Sequence, residues 1–256
     1  MITAGIDIGS VSTETLILNE DKIIAYDIMP TGPSSKETAE QSLSAALSKA
    51  GLNQGQIQNS ISTGYGRENV EIANKQVSEI TCIGAGACFL FSDIGGILDI
   101  GGQDSKAIKL DSKGKMIDFA MNDKCAAGTG RFLEVMARVL GVNIESLGEL
   151  SLSSTKKAVI SNMCTVFAES EVVSLIHNGW VVEDIANGIH DSIAERAIGL
   201  LHKVKATGNI LLTGGVMKNK GVVRAITRHL AAPPILPEEA QIVCALGAAV
   251  LAKRMG

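Results

Sequence analysis

The stretch Asp7-Ile8-Gly9-Ser10 recurs 92 residues later in this 256-residue chain, as Asp99-Ile100-Gly101-Gly102. The two copies align without gaps over residues 7–18 and 99–110, and each continues into a turn-rich connector and a further strand-like segment. Asp, Ile and Gly match in phase and the following hairpin matches too, so a chance recurrence of a strand and a glycine turn is the weaker interpretation. We therefore predict a duplicated unit.

Each copy places a glycine turn directly after a short apolar strand. A turn without side chains lets backbone N–H groups approach a phosphate closely. Two such turns facing each other across a cleft could hold the phosphates of a nucleotide from both sides, with Asp7 and Asp99 placed to bind Mg²⁺ through water. A third turn, Gly214-Gly215, also follows a strand and could contact the base and ribose. The chain has no Walker-type P-loop and no convincing dinucleotide motif.

Alternating strands and helices with few aromatic residues predict an α/β fold. The repeat divides this fold into two subdomains that flank the nucleotide cleft, residues 1–95 plus 240–256 and residues 96–239. Helices are expected over residues 34–50, 77–91, 130–140, 166–177 and 183–205, and from 216 to about 230.

The charge and composition of the chain limit the classes of partner that we expect it to bind. The net charge is −4 and no run of five like charges occurs, so nothing suggests nucleic acid or an anionic membrane surface. The longest apolar run, residues 243–252, is too short to span a bilayer. No export signal precedes the first expected strand, and the five cysteines form no C-x-x-C pair. We expect a cytoplasmic, reducing location.

Two cysteines, Cys125 and Cys164, lie at or just before the expected start of a helix. Phosphoryl chemistry needs no cysteine, whereas the positive end of a helix stabilises an anionic thiolate. Iron–sulfur ligation is our leading interpretation; since a cluster normally takes four thiolates, it requires a second copy of the chain. Zinc is disfavoured because no His lies at the usual ligand spacing. The alternative is a pair of buried core thiols, which is how we interpret Cys82, Cys88 and Cys244.

Three short passages resemble the nucleotide signatures of the actin, Hsp70 and sugar-kinase fold: residues 5–10, 100–104 and 212–216. Residues 122–134 and 164–174 resemble, more narrowly, the ATP-dependent activators of 2-hydroxyacyl-CoA dehydratases. The wider family includes the ATPase subunits of benzoyl-CoA reductases. The resemblance covers essentially the whole chain, and the two cysteine passages are what specify the activator branch.

The resemblance implies an oxygen-sensitive homodimer with one 4Fe–4S cluster between its subunits, held by Cys125 and Cys164 of each. It also implies ATP or ADP with Mg²⁺, and Gln103 or Asp104 is the candidate to orient the attacking water. The first loop departs from the family because Glu14 follows the small residues, where a Lys is expected. The implied nucleotide contacts are Gly9, Ser10, Val11, Ser12, Thr13, Gly101, Gly102, Gln103, Gly214, Gly215 and Gln241.

Such activators use ATP to pass one electron at very low potential to a partner iron–sulfur enzyme, with ferredoxin or flavodoxin as the expected donor. The runner-up is a small-molecule kinase of the sugar type with the same fold, which would need no metal cluster and leaves the two cysteines unexplained. A third candidate is a nucleotide-dependent binding module like the Hsp70 ATPase domain, which normally comes with a peptide-binding domain.

The sequence assigns no specific function to two further features. The four histidines, His177, His190, His202 and His229, lie on expected helices beside polar residues, so we expect them to be solvated or capping. The segment 63–67, Thr-Gly-Tyr-Gly-Arg, could be a hinge, a partner contact or merely a turn, and the sequence leaves these open.

Overall fold

The structure is a computed structural model that describes residues 1–161 and 164–256. Along the chain, its strands and α-helices are β1 (Ile2–Ile8), β2 (Ser12–Asn19), β3 (Lys22–Pro30), α1 (Ser35–Ala50), β4 (Asn59–Thr63), β5 (Lys75–Gln76), α2 (Glu79–Leu90), β6 (Gly96–Ile100), β7 (Ser105–Leu110), β8 (Met116–Asn122), α3 (Gly130–Leu140), α4 (Ile144–Leu152), α5 (Thr165–His177), α6 (Val182–Lys203), β9 (Ile210–Thr213), α7 (Lys220–His229) and α8 (Val243–Lys253).

The chain divides into two compact units. The first comprises Met1–Ile94, Leu110–Met116 and Gln241–Gly256, and the second comprises Gly95–Lys109 and Ile117–Ala240. The division drawn from the sequence used boundaries near residues 95 and 240 and did not separate residues 110–116.

The first unit is built on a sheet with the strand order β3-β2-β1-β4-β5. The strands β1, β2 and β3 form an antiparallel meander, and β4 is parallel to β1. Successive side chains of β2 alternate between the two faces: Ile17 packs in the cluster with α1, whereas Leu16 and Leu18 pack in the cluster with α8. Both faces of this sheet are therefore covered by helices.

The second unit repeats this plan on a sheet with the order β8-β7-β6-β9. Here β6 is antiparallel to β7 and parallel to β9. Its core includes residues of α3, α4, α5, α6 and α7, and α6 is almost entirely buried along its middle. The predicted α/β class and the predicted duplication are both confirmed.

The registers of the two sheets correspond residue for residue. In the first unit, Asp7 pairs with Glu14 on β2 and with Thr63 on β4. In the second, Asp99 pairs with Lys106 on β7 and with Thr213 on β9. The duplication therefore extends to the parallel strand that follows each meander, which the sequence alignment did not reach.

Most helices match their predicted spans within a few residues, but α4 was missed. It has only nine residues, and its start signal, Asn143 at the N-cap with Glu145 in the first turn, was overlooked in so short a segment. Packing against α6 and α7 holds it in place. Among the described residues, none of the helices has the length and apolar character that a bilayer span requires.

Candidate functional site

The first glycine turn follows β1 in the first unit. Gly9 N donates to Ser12 O over 2.9 Å and closes the turn, in which Ser10 and Val11 are half-buried. Gln241 Nε2 donates to Ser12 Oγ over 3.0 Å and to Glu14 Oε1 over 2.6 Å. The structure therefore places Gln241 against the turn, where it supports the turn through side-chain hydrogen bonds.

Glu14 occupies the position where the resemblance leads one to expect a lysine. Glu14 is 3% exposed and lies on β2 directly opposite Asp7, which is 8% exposed. Ser12 Oγ donates to Glu14 Oε1 over 2.6 Å. The turn itself, residues 9–14, carries no Lys or Arg, so its backbone N–H groups are what it offers to an anion.

The second glycine turn, in the second unit, closes with the same hydrogen bond. Gly101 N donates to Asp104 O over 2.9 Å, 92 residues after the bond from Gly9 to Ser12. Of the two candidates for orienting water, Gln103 has an exposed side chain. The carboxylate of Asp104 is instead engaged in an ion pair with Lys106, because Oδ1 lies 2.7 Å from Nζ.

Lys106 is the largest fully buried side chain in the described part of the molecule, with 1% of its surface exposed. Its Nζ also lies 3.7 Å from Asp99 Oδ2, and Thr213 Oγ1 donates to Asp99 Oδ1 over 2.8 Å. Burial raises the pKa of Asp99, while Lys106 and the hydrogen bond from Thr213 oppose that rise. The second copy of the repeat thus holds a cation where the first copy holds Glu14.

The sequence reasoning missed Lys106, although a signal was present. In a β-strand with one buried face, the charged residues normally lie on the other face. Lys106 is an exception, because it lies on β7 directly opposite the buried Asp99. A lysine is almost never fully buried unless it is paired. The alignment of the two copies pairs Lys106 with Glu14. Both copies therefore carry a charged residue at this strand position, which indicates a role for charge there.

Gly64 and Gly214 occupy equivalent places, each directly after the parallel strand of its sheet. Both have positive φ, 87° and 94°. An added Cβ would lie 2.5 Å from Ile8 O at Gly64 and 2.3 Å from Ile100 O at Gly214. The predicted base-contacting turn at Gly214 therefore requires glycine for backbone packing alone, independently of any ligand. Its neighbour Gly215 opens a short 3₁₀ turn.

The two cysteines predicted as ligands both lie in the second unit. Cys164 is the N-cap residue of α5, as predicted. Cys125 lies in the loop between β8 and α3, and the N-cap of α3 is Thr129. Cys125 is therefore further from a helix start than the sequence indicated, because residues 126–129 form a turn before the helix. Both thiols are partly exposed, and α3 packs against α5.

Side chains from other elements hold the Cys125 loop in place. Asn122 Nδ2 donates to Cys125 O over 2.8 Å and to Ala127 O over 3.3 Å. Arg196 Nη2, from α6, donates to Asn122 Oδ1 over 3.2 Å. The sequence reasoning assigned no role to Asn122 or Arg196, since the loop conformation at Cys125 and the contact with Arg196, 74 residues away, both arise only on folding.

The other three cysteines were all interpreted as core thiols. Cys82 and Cys244 are buried, and burial raises the pKa of Cys82 to about 12, so that thiol stays protonated. Cys88 was predicted wrongly, because it is exposed and its Sγ donates to Gly114 O over 3.3 Å. Within residues 1–161 and 164–256, no group of three or more His, Cys, Asp or Glu could hold a metal ion.

Comparison with known proteins matches almost the whole chain to one family. Residues 4–252 match the BadF/BadG/BcrA/BcrD ATPase family. The chain is 47% identical to the activator of lactoyl-CoA dehydratase from Anaerotignum propionicum, over 98% of this chain and 97% of that protein. It is 44% identical to the (R)-2-hydroxyglutaryl-CoA dehydratase activating ATPase of Acidaminococcus fermentans, over 98% and 96%.

Solved structures agree with this match. Component A of the (R)-2-hydroxyglutaryl-CoA dehydratase of Acidaminococcus fermentans has a TM-score of 0.96 at 42% identity, covering 100% of this chain and 98% of that one. The 2-hydroxyisocaproyl-CoA dehydratase activator from Clostridium difficile with bound ADPNP has a TM-score of 0.95 at 41% identity, covering 100% and 95%. A glucokinase from Streptomyces griseus, with a TM-score of 0.60 at 13% identity over 99% and 100%, shares the fold alone. The predicted actin-like ATPase fold is confirmed.

Proposed function

Since the chain belongs to the BadF/BadG/BcrA/BcrD ATPase family, we propose that it is an ATP-driven activator that donates one electron to an iron–sulfur enzyme such as a 2-hydroxyacyl-CoA dehydratase. The relatives that carry names of this kind match over 95% or more of their own length. Their activity is therefore proposed for the whole of this chain rather than for a part of it.

The placement of Cys125 and Cys164 in one unit is the observation that carries the proposal. Cys164 is the N-cap residue of α5 and Cys125 lies in the loop that leads into α3; both thiols are partly exposed, and α3 packs against α5. One chain supplies no further ligand group among the described residues. Two copies related by a twofold axis would supply the four thiolates that a 4Fe–4S cluster takes. A cluster bound there would accept and release a single electron.

The N-terminal end of α5 favours such a site electrostatically. Cys164 is the N-cap residue of α5, at the helix end where the N–H groups of the first turn have no helical partners. These groups carry partial positive charge and stabilise an anionic ligand set. Cys125 gains no such help from α3, so we propose that the hydrogen bonds from Asn122 fix its backbone instead.

Each glycine turn is proposed to contribute backbone N–H groups to the binding of ATP phosphates. We propose that Asp7 and Asp99 bind Mg²⁺ through water. The carboxylate of Asp99 is also engaged by Lys106 and Thr213. We propose that Gln103, rather than Asp104, orients the attacking water, because Asp104 is held in an ion pair.

ATP hydrolysis is proposed to lower the reduction potential of the cluster that donates the electron. A shift of 100 mV corresponds to about 2.3 kcal/mol for one electron, which lies well within the free energy that ATP hydrolysis releases. The nucleotide must bind two conformations differently for this coupling to occur. A ferredoxin or flavodoxin is the proposed upstream donor, because both carry single electrons at low potential.

Iron and sulfide analysis after anaerobic purification tests the proposal. We expect two iron and two sulfide per chain, which is one 4Fe–4S cluster per homodimer, and loss of the cluster in air. A colourless protein that consumes ATP only when a small-molecule acceptor is added would instead support the kinase alternative. Four iron per chain would mean that each copy holds its own cluster and would contradict the shared site.

A further inference from the structure

We propose that Ser105 is a positioning residue that links the second glycine turn to the loop carrying Cys125. This inference rests on the proposed function, because it takes the turn as a nucleotide contact and the loop as a cluster ligand. It adds a specific route, within the second unit, by which a change of the bound nucleotide would displace Cys125.

A buried hydrogen bond joins the turn to the loop. Ser105 directly follows the turn, is 2% exposed, and its Oγ donates to Gly128 O over 2.7 Å. Gly128 belongs to the connection between Cys125 and α3. Two backbone hydrogen bonds reinforce this contact: Gly130 N donates to Gly101 O over 2.9 Å, and Arg131 N donates to Gly102 O over 2.8 Å.

The connection is stiff enough to transmit a displacement. Thr129 closes a tight turn on Ala126, since its N and Oγ1 donate to Ala126 O over 3.1 and 2.7 Å. At Gly128, φ is +86° and an added Cβ would lie 2.8 Å from Arg196 Cδ. Arg196 is thus packed against the loop as well as bonded to Asn122, which holds Cys125 O. A shift of the turn would move the loop as one body.

The first copy of the repeat lacks this connection, so it is specific to the unit that carries the cysteines. The equivalent of Ser105 in the first unit is Thr13. Its Oγ1 lies 2.8 Å from Thr31 Oγ1, a residue that follows β3 and whose own hydroxyl donates to Gly9 O. The hydroxyl in the first unit therefore stabilises its own turn, whereas the hydroxyl of Ser105 reaches into the Cys125 loop.

Amide hydrogen exchange in the metal-free protein tests the link without depending on a cluster. The probe is a non-hydrolysable ATP analogue with Mg²⁺, added to the wild type, to Ser105→Ala and to Ser105→Thr, which restores a hydroxyl. The control Ser192→Ala removes another buried hydroxyl of the same unit, one that donates to Ile189 O over 2.9 Å.

In the wild type, the analogue should slow exchange over residues 125–131 by about fivefold, the equilibrium factor that one average hydrogen bond contributes. Ser105→Ala should bind the analogue with unchanged affinity and lose this response over residues 125–128, while residues 130 and 131 keep it through their own hydrogen bonds to the turn. Ser105→Thr and Ser192→Ala should retain the response over the whole segment. A full response in Ser105→Ala overturns the inference. A wild type in which the analogue protects residues 101–105 and leaves 125–131 unchanged overturns it as well, even if Ser105→Ala does not fold.

The cluster-loaded dimer gives a second readout. With the wild type, an iron chelator should remove iron at different rates in the ADP form and in the form with the ATP analogue. Ser105→Ala should bring the two rates together while iron content stays at two per chain. Absence of iron in the wild type would overturn the proposed function, and the exchange experiment would still decide whether the link exists.

Discussion

Lys106 Nζ lies 2.7 Å from Asp104 Oδ1, directly behind the second glycine turn. The ammonium group is removed from solvent and has Asp99 as a second carboxylate neighbour. The first turn has no counterpart to this arrangement, because Glu14 stands at the position equivalent to Lys106. The two halves of the repeat therefore share backbone geometry but carry opposite charge at the same strand position.

Replacement of Lys106 by Met should destabilise the protein by about 3–5 kcal/mol, because removal of one member of a buried ion pair leaves the other charge uncompensated. Urea unfolding monitored by circular dichroism measures this difference. The matched control is Lys220→Met, which removes a lysine paired with Glu149 at the surface and should leave the midpoint nearly unchanged. Equal midpoints for the two variants would contradict the assigned role of the buried pair.

Two glycine variants should separate nucleotide binding from folding. At Gly101, an added Cβ would meet a side-chain atom, Asp104 Oδ1, at 3.0 Å and no backbone atom closer than 3.5 Å, so Gly101→Val should fold and lose ATP affinity. At Gly214, the added Cβ would meet the fixed Ile100 carbonyl at 2.3 Å, so Gly214→Val should lower stability itself. Calorimetric titration with ATP and thermal melting distinguish the two effects. A folded Gly101→Val with unchanged affinity would remove the second turn from the nucleotide site.

The repeat, the sheets and the helix at Cys164 were all predictable from local patterns. Strand periodicity, glycine turns and the phase of Asp7 and Asp99 are encoded over a few residues each. Lys106 was overlooked although its partners Asp99 and Asp104 are close in sequence, because a lysine is expected to be exposed unless it is paired. The role of Asn122 depends on how the Cys125 loop folds back and on Arg196, which is distant along the chain. His190 was predicted wrongly as solvated or capping: it is fully buried on α6, where Asn219 Nδ2 donates to its Nε2 over 3.2 Å.

The burial of His190 should make stability fall in mild acid. Burial, together with Arg224 and Arg228 nearby, lowers the pKa of His190 to about 3. An unfolded histidine titrates near pH 6.5, so between about pH 6.5 and 3 the unfolded chain binds a proton that the folded chain does not. Stability should therefore decline by about 1.4 kcal/mol per pH unit from this group as pH drops below 6.5.

The variant His190→Gln removes this titration. Unfolding free energies measured in urea at pH 7.5, 6.0 and 5.0 should show a shallower decline in the variant than in the wild type, even if the variant is less stable at every pH. Asp191, which forms ion pairs with Lys157 and His229, is present in both proteins, so its contribution cancels in the comparison. Parallel curves would show that His190 titrates alike in the folded and unfolded chains and would contradict the lowered pKa.

Serine variants of the cysteines should separate the cluster ligands from the structural thiols. Cys125→Ser and Cys164→Ser should each lose the iron of the anaerobic dimer and keep ATP affinity, because the turns proposed to bind nucleotide contain neither residue. The matched control is Cys244→Ser, since Cys244 is buried on α8 in the other unit. It should retain two iron per chain.

Each single variant removes two thiolates from the dimer at once, because both copies carry the change. The loss of iron should therefore be complete, and it is the two iron per chain of the unchanged protein that identifies a shared site with four ligands. Measured iron per chain and the dimer-to-monomer ratio in gel filtration give the result together. If Cys125→Ser retained iron while Cys164→Ser lost it, the cluster would have another ligand and the assignment of Cys125 would be wrong.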